Sequence, residues 1–440
     1  MAIVPVGDLI LQVPPSDEPR YVMELCAALR RPIQEVIQRC LDGVLRAEVD
    51  RWLERGHYVR RKRSKKRKVR ERCSRCLSHE RRKFLRNGYY RRGLNTGWGR
   101  IELNVPQVKC ACGGNVRLKF RVFQPGQRMW DDFGVEVRVD YGRGLSYRQI
   151  KADWDERLGG SVGLCTLNRR VLGAKIEERS AQPLKRSEVP PVVRVDGIWI
   201  TVMFPTGEIR KDRSERARPV KQAKKVPILA AQGVWPETGR SVLLAWTLAE
   251  GEDHDSWQAF LEKLLEMGLS PENGLALLVA DGSSGFRSAY ESRYWMVPLQ
   301  RCVFHKLRNL ADALHTPAGL DRQAARQYRS DFLRQAAQIW QADNETEARL
   351  RYRAFCQHWK SPQPKAVAAL KRDFDLTLTF YTVQEQAAAQ GQEWPAYTLR
   401  TTSPLERSFR EFRRRFRNAV LFHSPAGAIA ATAQVALRFS

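Results

Sequence analysis

The segment that most constrains this chain is residues 275–309. Residues 275–280 form a short apolar run that stops at Asp281, and Gly282, Ser283, Ser284 and Gly285 follow as turn residues. An apolar run of this length bounded by turn chemistry reads as a buried strand. Residues 286–294 then read as a helix and 295–300 as a second short strand, leading into Cys302-x-x-His305 at the start of another helix. An acid at the C-terminal end of a buried strand is where open α/β sheets place ligands and metals. The question becomes which other acids can stand beside Asp281.

The first candidate is Asp196. Residues 192–202 read as a strand with this acid in its middle, among Val and Ile. Such an acid is costly unless it faces a cleft or a ligand. Residues 208–225 form a highly charged hairpin or loop. Residues 226–233 and 241–249 give second and third strands, and Asp255 is placed to cap a helix over 256–267 whose Phe260, Leu261, Leu264 and Leu265 share one face. Three strands, a helix, a strand, a helix and a strand predict an α/β domain with a ribonuclease-H-like mixed sheet. Parallel neighbours lie about 4.8 Å apart, so Asp196 and Asp281 can share a metal ion. Carboxylate oxygens suit Mg²⁺, with Mn²⁺ as the substitute. Two such ions about 3.5–4 Å apart clamp the attacking and leaving oxygens in phosphoryl transfer. The plainer alternative is a solvated strand acid and an Asp-Gly turn.

Residues 310–398 are helical and polar and read as an all-helical insertion, with Leu333, Ile339, Leu350, Phe355 and Leu370 available for a small core. After it comes Thr401-Thr402-Ser403-Pro404-Leu405-Glu406. Ser403 is a good N-cap, Pro404 suits the first helical position, and Glu406 completes a capping box. The helix that follows puts Leu405, Phe409, Phe412 and Phe416 on one face. Arg410, Arg413 and Arg414 lie on the other, where arginine forks suit a DNA backbone. Glu406 is therefore either a cap or a third metal-binding acid. Glu411 competes, but five residues turn it about 140° around the helix. The Ala-rich end, 425–439, is expected to pack back on the sheet.

The first half reads differently. Residues 1–59 are read as an N-terminal helical region: 1–16 carry little signal, and from Glu18 to about Gly56 apolar residues recur at threes and fours, a pattern Pro32 is expected to break into two helices. Residues 60–72 form a basic linker that repels itself and suits phosphates. In 73–124, Cys73-x-x-Cys76 and Cys110-x-Cys112 flank strands at 101–105 and 116–123, the pattern of a β module around structural Zn²⁺, with His79 as a substitute ligand. Residues 125–181 read as a helix-turn-helix DNA-binding region: a helix over 131–141, a second over 147–158 with Ser146 as its N-cap, a break at Gly159-Gly160, and a last helix from about Cys165, at whose start Thr166, Asn168, Arg169 and Arg170 are the candidate base readers. A Pro- and Ser-containing hinge, 182–191, precedes the core of 192–309; the insertion 310–398 and C-terminal helices 399–440 complete it. The net charge of +28 points to a polyanionic partner, nucleic acid first. No run approaches the roughly 20 apolar residues of a membrane span. No secretory signal is read at the start, and the nine cysteines do not form a disulfide framework.

The chain resembles the Mutator-type transposases of prokaryotic insertion sequences. The likeness runs from about residue 80 to 430. It rests on Arg86-Asn-Gly-Tyr-Tyr with 99–106, on 141–150, on Val195-Asp-Gly197 and Ala280-Asp-Gly282, and on 300–309 with its Cys302-x-x-His305. The last blocks are 401–407 and Arg413-Arg-Arg415. The resemblance implies a catalytic triad of Asp196, Asp281 and Glu406 and a ribonuclease-H-like fold with an all-helical insertion before the Glu. The implied activity is Mg²⁺-dependent cleavage at terminal inverted repeats with transfer of the 3′-OH to target DNA. Cys302 and His305 match a family pair that holds DNA or the active-site architecture, and Arg301 and Arg308 in the same block are expected to meet DNA. Asn near Ser403 and near Phe409 is common in the family and missing here. A homo-oligomer acting on double-stranded DNA in the cytoplasm, at the nucleoid, is expected. An inactive, DNA-binding descendant and a ribonuclease-H-like junction nuclease are the alternatives.

Overall fold

The computed structural model describes residues 2–6, 9–13, 21–56, 59, 68–158, 162–173, 183–419 and 421–439. Most of the expected basic linker, the Gly159-Gly160 break and the segment 174–182 lie outside the described residues. The chain divides into two compact units, 1–141 with 145–173 and 142–144 with 174–440. Among the described residues no helix is long and apolar enough to cross a membrane.

In the first unit, β1 (Ala2–Val6) and β2 (Leu9–Val13) form an antiparallel hairpin. Helix α1 (Tyr21–Leu53) runs unbroken through Pro32, contrary to the expected pair of helices. A proline inside a helix costs about 3 kcal/mol. Burial of one helix face offsets it: Leu41 and Leu45 pack with Leu94, Ile101, Leu103, Val105 and Phe123. Those partners come from β3 (Phe84–Thr96), β4 (Gly99–Cys110) and the segment after β5 (Asn115–Val116), a three-stranded antiparallel sheet in sequence order. The strand expected over 116–123 shrinks to two residues, because Phe120 and Phe123, 5.6 Å apart, turn into the core beneath α1 instead of continuing the ladder. Helices α2 (Asp131–Gly142), α3 (Tyr147–Leu158) and α4 (Leu164–Leu172) follow as the spacing predicts. Ser146 caps α3 reciprocally with Gln149: its N–H donates to Gln149 Oε1 at 2.9 Å and its Oγ accepts from Gln149 N at 3.3 Å. Phe133 meets Trp154 edge-on at 4.6 Å, and Ile150, Leu167 and Val171 are buried.

The second unit is built on a five-stranded mixed sheet. Its strands are β6 (Val192–Lys211), β7 (Ala217–Trp235), β8 (Arg240–Leu248), β9 (Leu277–Ala280) and β10 (Leu299–Arg301), in the order β10-β9-β6-β7-β8. The pairs β10–β9 and β9–β6 are parallel, the others antiparallel. Both faces are covered, which is why β9 is apolar throughout. Alternation assigns the sides. Val193, Val195, Leu278 and Ala280 pack with α5 (His254–Glu266) and α6 (Ser284–Arg293) through Trp257, Phe260, Leu261 and Phe286. Val192, Leu277 and Val279 pack with Val303, Leu310 and the helical insertion through Phe332, Ile339 and Trp340. The cap of α5 is Asp253, whose side chain accepts from Ser256 N at 2.8 Å, not Asp255. Residues 295–298 are not strand; only Leu299–Arg301 pairs with β9.

Helices α7 (Val303–Ala313), α8 (Arg322–Gln338), α9 (Glu345–Trp359), α10 (Pro364–Lys371), α11 (Thr379–Ala389) and α12 (Ala396–Leu399) lead to α13 (Ser403–Ala419) and α14 (Pro425–Ala436). Buried polar contacts tie the insertion to the sheet. Gln300 donates to Thr377 O at 3.0 Å and accepts from Phe380 N at 2.9 Å. Arg194 Nη2 donates to Thr398 O at 2.6 Å. Lys306, 1% exposed, donates to Ala369 O at 2.7 Å and to Arg372 O, carbonyls at the end of α10. Burial, with Arg301 nearby, pushes its ammonium down to about 7. A depressed amine binds fewer protons folded than unfolded between about pH 7 and 10, so its contribution to stability rises with pH across that window. Lys306→Met is therefore expected to fall further behind the wild-type melting temperature as pH goes from 7 to 10. A pH-independent gap would contradict this account.

Candidate active site

The last parallel pair of β6 and β9 is Arg194 with Val279. Two residues further along each strand stand Asp196 and Asp281, on the face shared with Val192 and Val279. Each carboxylate accepts from the backbone of the glycine that follows it, Gly197 N at 2.8 Å and Gly282 N at 2.6 Å. Neither Asp-Gly pair is a plain turn. A Cβ on residue 282 would lie 2.4 Å from the Arg301 guanidinium carbon, and one on residue 197 would lie 2.4 Å from Glu252 Oε1. Glycine is there because a neighbouring side chain lies over it.

Helix α7 starts where β10 ends and carries His305; helix α13 starts after the insertion and carries Glu406. His305 Nε2 lies 3.0 Å from Glu406 Oε1. Ligand atoms of Asp196, His305 and Glu406 all lie within 4.8 Å of one another, a group able to hold a metal ion. Asp281 stands outside that tight group, but its charge acts on both Asp196 and His305. Cys302 supports the histidine. Its Sγ accepts from Thr402 N at 3.2 Å and Thr402 Oγ1 at 3.3 Å, and Thr402 Oγ1 is 3.5 Å from His305 Nδ1. This network joins the starts of α7 and α13 across nearly a hundred residues of insertion. The start of α13 also sets where the Glu406 carboxylate goes. The helix begins at Ser403 with Thr402 before it, and the Glu406 carboxylate goes to His305 rather than back to the backbone. Glu411 pairs with Arg414 at 2.7 Å and Arg438 at 3.0 Å.

Burial pushes the Asp196 carboxyl up to about 7, against the pull of His305 and the Gly197 N–H; Glu406 and Asp281 add to the rise. Burial works against a charged His305, but contacts with Cys302 and Glu406 outweigh it and raise it well above the usual imidazole range. The hydrogen bond from His305 holds Glu406 below the usual carboxylate range, helped by the charges of Arg413 and Arg308. The site thus gathers more negative charge than one imidazolium balances, a deficit that a divalent cation fits. His305→Gln removes the charge that orients Glu406. It is expected to weaken Mg²⁺ or Mn²⁺ binding about 10- to 100-fold, measurable by calorimetric titration; unchanged affinity would make His305 a packing residue.

Sequence reasoning missed Glu252. It follows β8 within Glu250-Gly251-Glu252-Asp253, a run that looks like a solvated turn. Here it is half-buried against Gly197 and bonded to Trp199, and burial, then the charge of Asp281, raises its carboxyl. Only the segment between β8 and α5, crossing from the edge of the sheet to Gly197 on β6, brings it there.

The candidate DNA-contacting residues divide. Arg308, Arg410, Arg413 and Arg414 are exposed. Arg301 is 7% exposed and pairs with Asp373 of the insertion at 2.6 Å, and His305 is 9% exposed; both face inward. On α4, Asn168 and Arg169 are exposed and Thr166 and Arg170 half-buried, while Asn168 Oδ1 accepts from Tyr147 OH at 3.1 Å.

In the first unit all four predicted cysteines meet. Cys73 Sγ lies 3.4 Å from Cys112 Sγ, Cys76 Sγ lies 3.7 Å from Cys110 Sγ, and all four are within 4.8 Å of one another. His79 is not in the group. The turn is tight: Cys110 N donates to Gly114 O and Gly113 N to Cys110 O, each at 2.8 Å, and a Cβ on residue 114 would lie 2.4 Å from Cys73 Sγ.

The family model described as "Transposase, Mutator family" matches residues 33–437. Among curated proteins, the transposase for insertion sequence element IS406 of Burkholderia multivorans is 26% identical over 351 residues, 79% of each chain. The transposase for IS905 of Lactococcus lactis is 25% identical over 340 residues, 77% of this chain and 75% of that one. The transposase for IS6120 of Mycolicibacterium smegmatis is 30% identical over 177 residues, 40% of this chain and 48% of that one.

Proposed function

The chain belongs to the Mutator family of transposases, and on that premise we propose that it cleaves DNA at the terminal inverted repeats of its own element and joins the freed 3′-OH to target DNA. The carrying observation is the convergence of Asp196, His305 and Glu406 from three distant elements, with ligand atoms within 4.8 Å and Asp281 beside them. The mixed sheet, with its acids at the ends of neighbouring parallel strands and a helical insertion before the Glu, supports a ribonuclease-H-like catalytic core.

Asp196, Asp281 and Glu406 would hold Mg²⁺ or Mn²⁺, since carboxylate oxygens are the ligands such ions take. The bound ions would activate water and later the 3′-OH, and steady the leaving oxygen. The chain's own part is positioning and charge. His305 fixes the Glu406 carboxylate, Cys302 and Thr402 fix His305, and the buried contacts of Lys306 and Arg301 fix the start of α7. Arg308, Arg410 and Arg413 stand exposed on the helices that carry His305 and Glu406, where they would hold backbone phosphates. Thr166, Asn168, Arg169 and Arg170 would read the terminal repeats. Both ends must be held together, so the working form is an oligomer. The cysteine cluster fits structural Zn²⁺: four thiolates about 2.3 Å from zinc stand about 3.8 Å from one another, close to the 3.4 and 3.7 Å observed.

The test is to incubate the purified protein with DNA flanking its own gene in Mg²⁺ and map 3′-OH ends and joined products, with Asp281→Asn as control. Cleavage at inverted ends plus joining, both lost in the control, supports the reading. Specific binding with no cut or joined product in Mg²⁺ or Mn²⁺ would overturn it in favour of an inactive DNA-binding protein.

A further inference from the structure

Strands β6 and β7 are far longer than their sheet needs. Their neighbours end early: β9 pairs with β6 only over 192–194, and β8 pairs with β7 only over 228–235. The chain at Phe422 flanks β6 as far as Met203. Beyond that, residues 205–225 project as a two-stranded ribbon with nearly every residue exposed on both faces, Ile209 at 73%. An unsupported two-stranded ribbon is marginal in water, and nothing apolar in this one closes a core.

Its charge is one-sided. Eight basic residues stand against three acidic ones between 205 and 225. Two of the three acids are used within the tip: Asp212 takes Arg218 at 2.7 Å and two backbone N–H groups, and Glu215 lies 3.9 Å from Lys211. Arg210, Arg213 and Arg216 have no side-chain partner among the described residues. Arg210 sits directly opposite Arg218, a like-charge cross-strand pair that costs stability in the free protein. A polyanion along the ribbon would turn that cost into binding. The major groove, about 12 Å wide, admits a two-stranded ribbon.

We infer that the ribbon of residues 205–225 is an arm that grips the phosphate backbone of duplex DNA away from the reactive phosphate. The inference rests on the transposase reading, and geometry gives it a position. Strand β6 carries both Asp196 and the arm. At about 3.3 Å per residue, the arm's basic residues from Pro205 outward begin with Lys221, opposite Pro205, about 30 Å along the strand from Asp196, and reach Arg210 and the tip at about 45 Å or more. On a duplex running along the strand, at about 3.4 Å per base pair, these contacts start about 9 base pairs from the cut and reach about 13 or more.

The test replaces Arg210, Arg213 and Arg216 together by Ala in the full chain. The probes are a duplex carrying the element end with its flanking DNA and a scrambled duplex of equal length. Three lost phosphate contacts should lower the slope of log affinity against log salt by about 3 and weaken binding to both duplexes about tenfold or more at low salt. These side chains are exposed and Arg210 faces a like charge, so the melting temperature should not fall. A hydroxyl-radical footprint of the wild-type protein should show protection starting about 9 base pairs to one side of the cut and reaching about 13 or more. Wild-type cleavage with an unchanged slope in the variant, or no protection at that distance, overturns the arm alone. Wild-type protein that binds neither duplex overturns the transposase reading itself.

Discussion

Asp196→Asn should abolish Mg²⁺-dependent strand cleavage, by about 10³-fold or more, and leave the metal-free protein at least as stable as before. Metal ligation supplies several kcal/mol of charge stabilisation in such reactions, and each 1.4 kcal/mol is about tenfold in rate. The stability side follows from burial. The Asp196 carboxyl is pushed up to about 7, so the folded state binds more protons than the unfolded one between about pH 4 and 7. This acid's contribution therefore falls as pH rises through that window and is most unfavourable above it. Asn keeps the shape and removes the charge. Without divalent ions, the variant's melting temperature should gain on wild type between pH 5 and 8; with Mg²⁺ the order should narrow or reverse, because only the wild type gains a full ligand set. A variant that cuts DNA at the wild-type rate would remove Asp196 from the catalytic group.

Loss of one cysteine of the cluster should have an effect of similar size on folding. Burial pushes the Cys110 thiol up to about 12, while the backbone at Gly114 and neighbouring thiols bring Cys112 down to about 6. Such unequal thiols in contact are poorly settled without a cation; zinc deprotonates them together. Structural zinc contributes about 10–16 kcal/mol of apparent binding energy in small modules, comparable with the whole stability of a domain. Cys110→Ser is expected to lose the metal and unfold the sheet of β3, β4 and β5, whose core includes Cys73, Phe84, Val108, Cys110 and Val116. Cys165→Ser, at an exposed position on α4, is the control and should change nothing. Metal content by atomic absorption and far-UV circular dichroism measure both. One zinc per chain, lost with the fold in Cys110→Ser only, is the expected result; a metal-free wild type that folds normally would make the cluster a packing feature.

How much of this was readable in advance depends on range. The strands that bury Val193, Val195, Leu278 and Ala280 on one side and Val192, Leu277 and Val279 on the other are legible as apolar runs. The three helices of 131–172 are legible from periodicity and the Ser146 cap. The helix of Leu405, Phe409 and Phe412 is legible for the same reason, because those three residues are its buried stripe. Local signals misled where tertiary packing outweighed them. Pro32 failed to break α1 because the helix face was buried, and residues 117–123 left the ladder because Phe120 and Phe123 had a core to enter. Arg301 looked like a hand for DNA, yet it is buried against Asp373, seventy-two residues away.

The sequence by itself determined the acids, the thiols and the order of strands and helices around them, since spacing, periodicity and turn chemistry act within a few residues. Only the tertiary structure decided which of those groups meet. It chose Glu406 over Glu411, set His305 on Glu406, brought Glu252 over Gly197, closed the four thiols into one cluster and sent the β6–β7 ribbon out of the sheet. Those choices depend on contacts between residues tens to hundreds of positions apart, where burial and charge are shared among neighbours that no local pattern identifies.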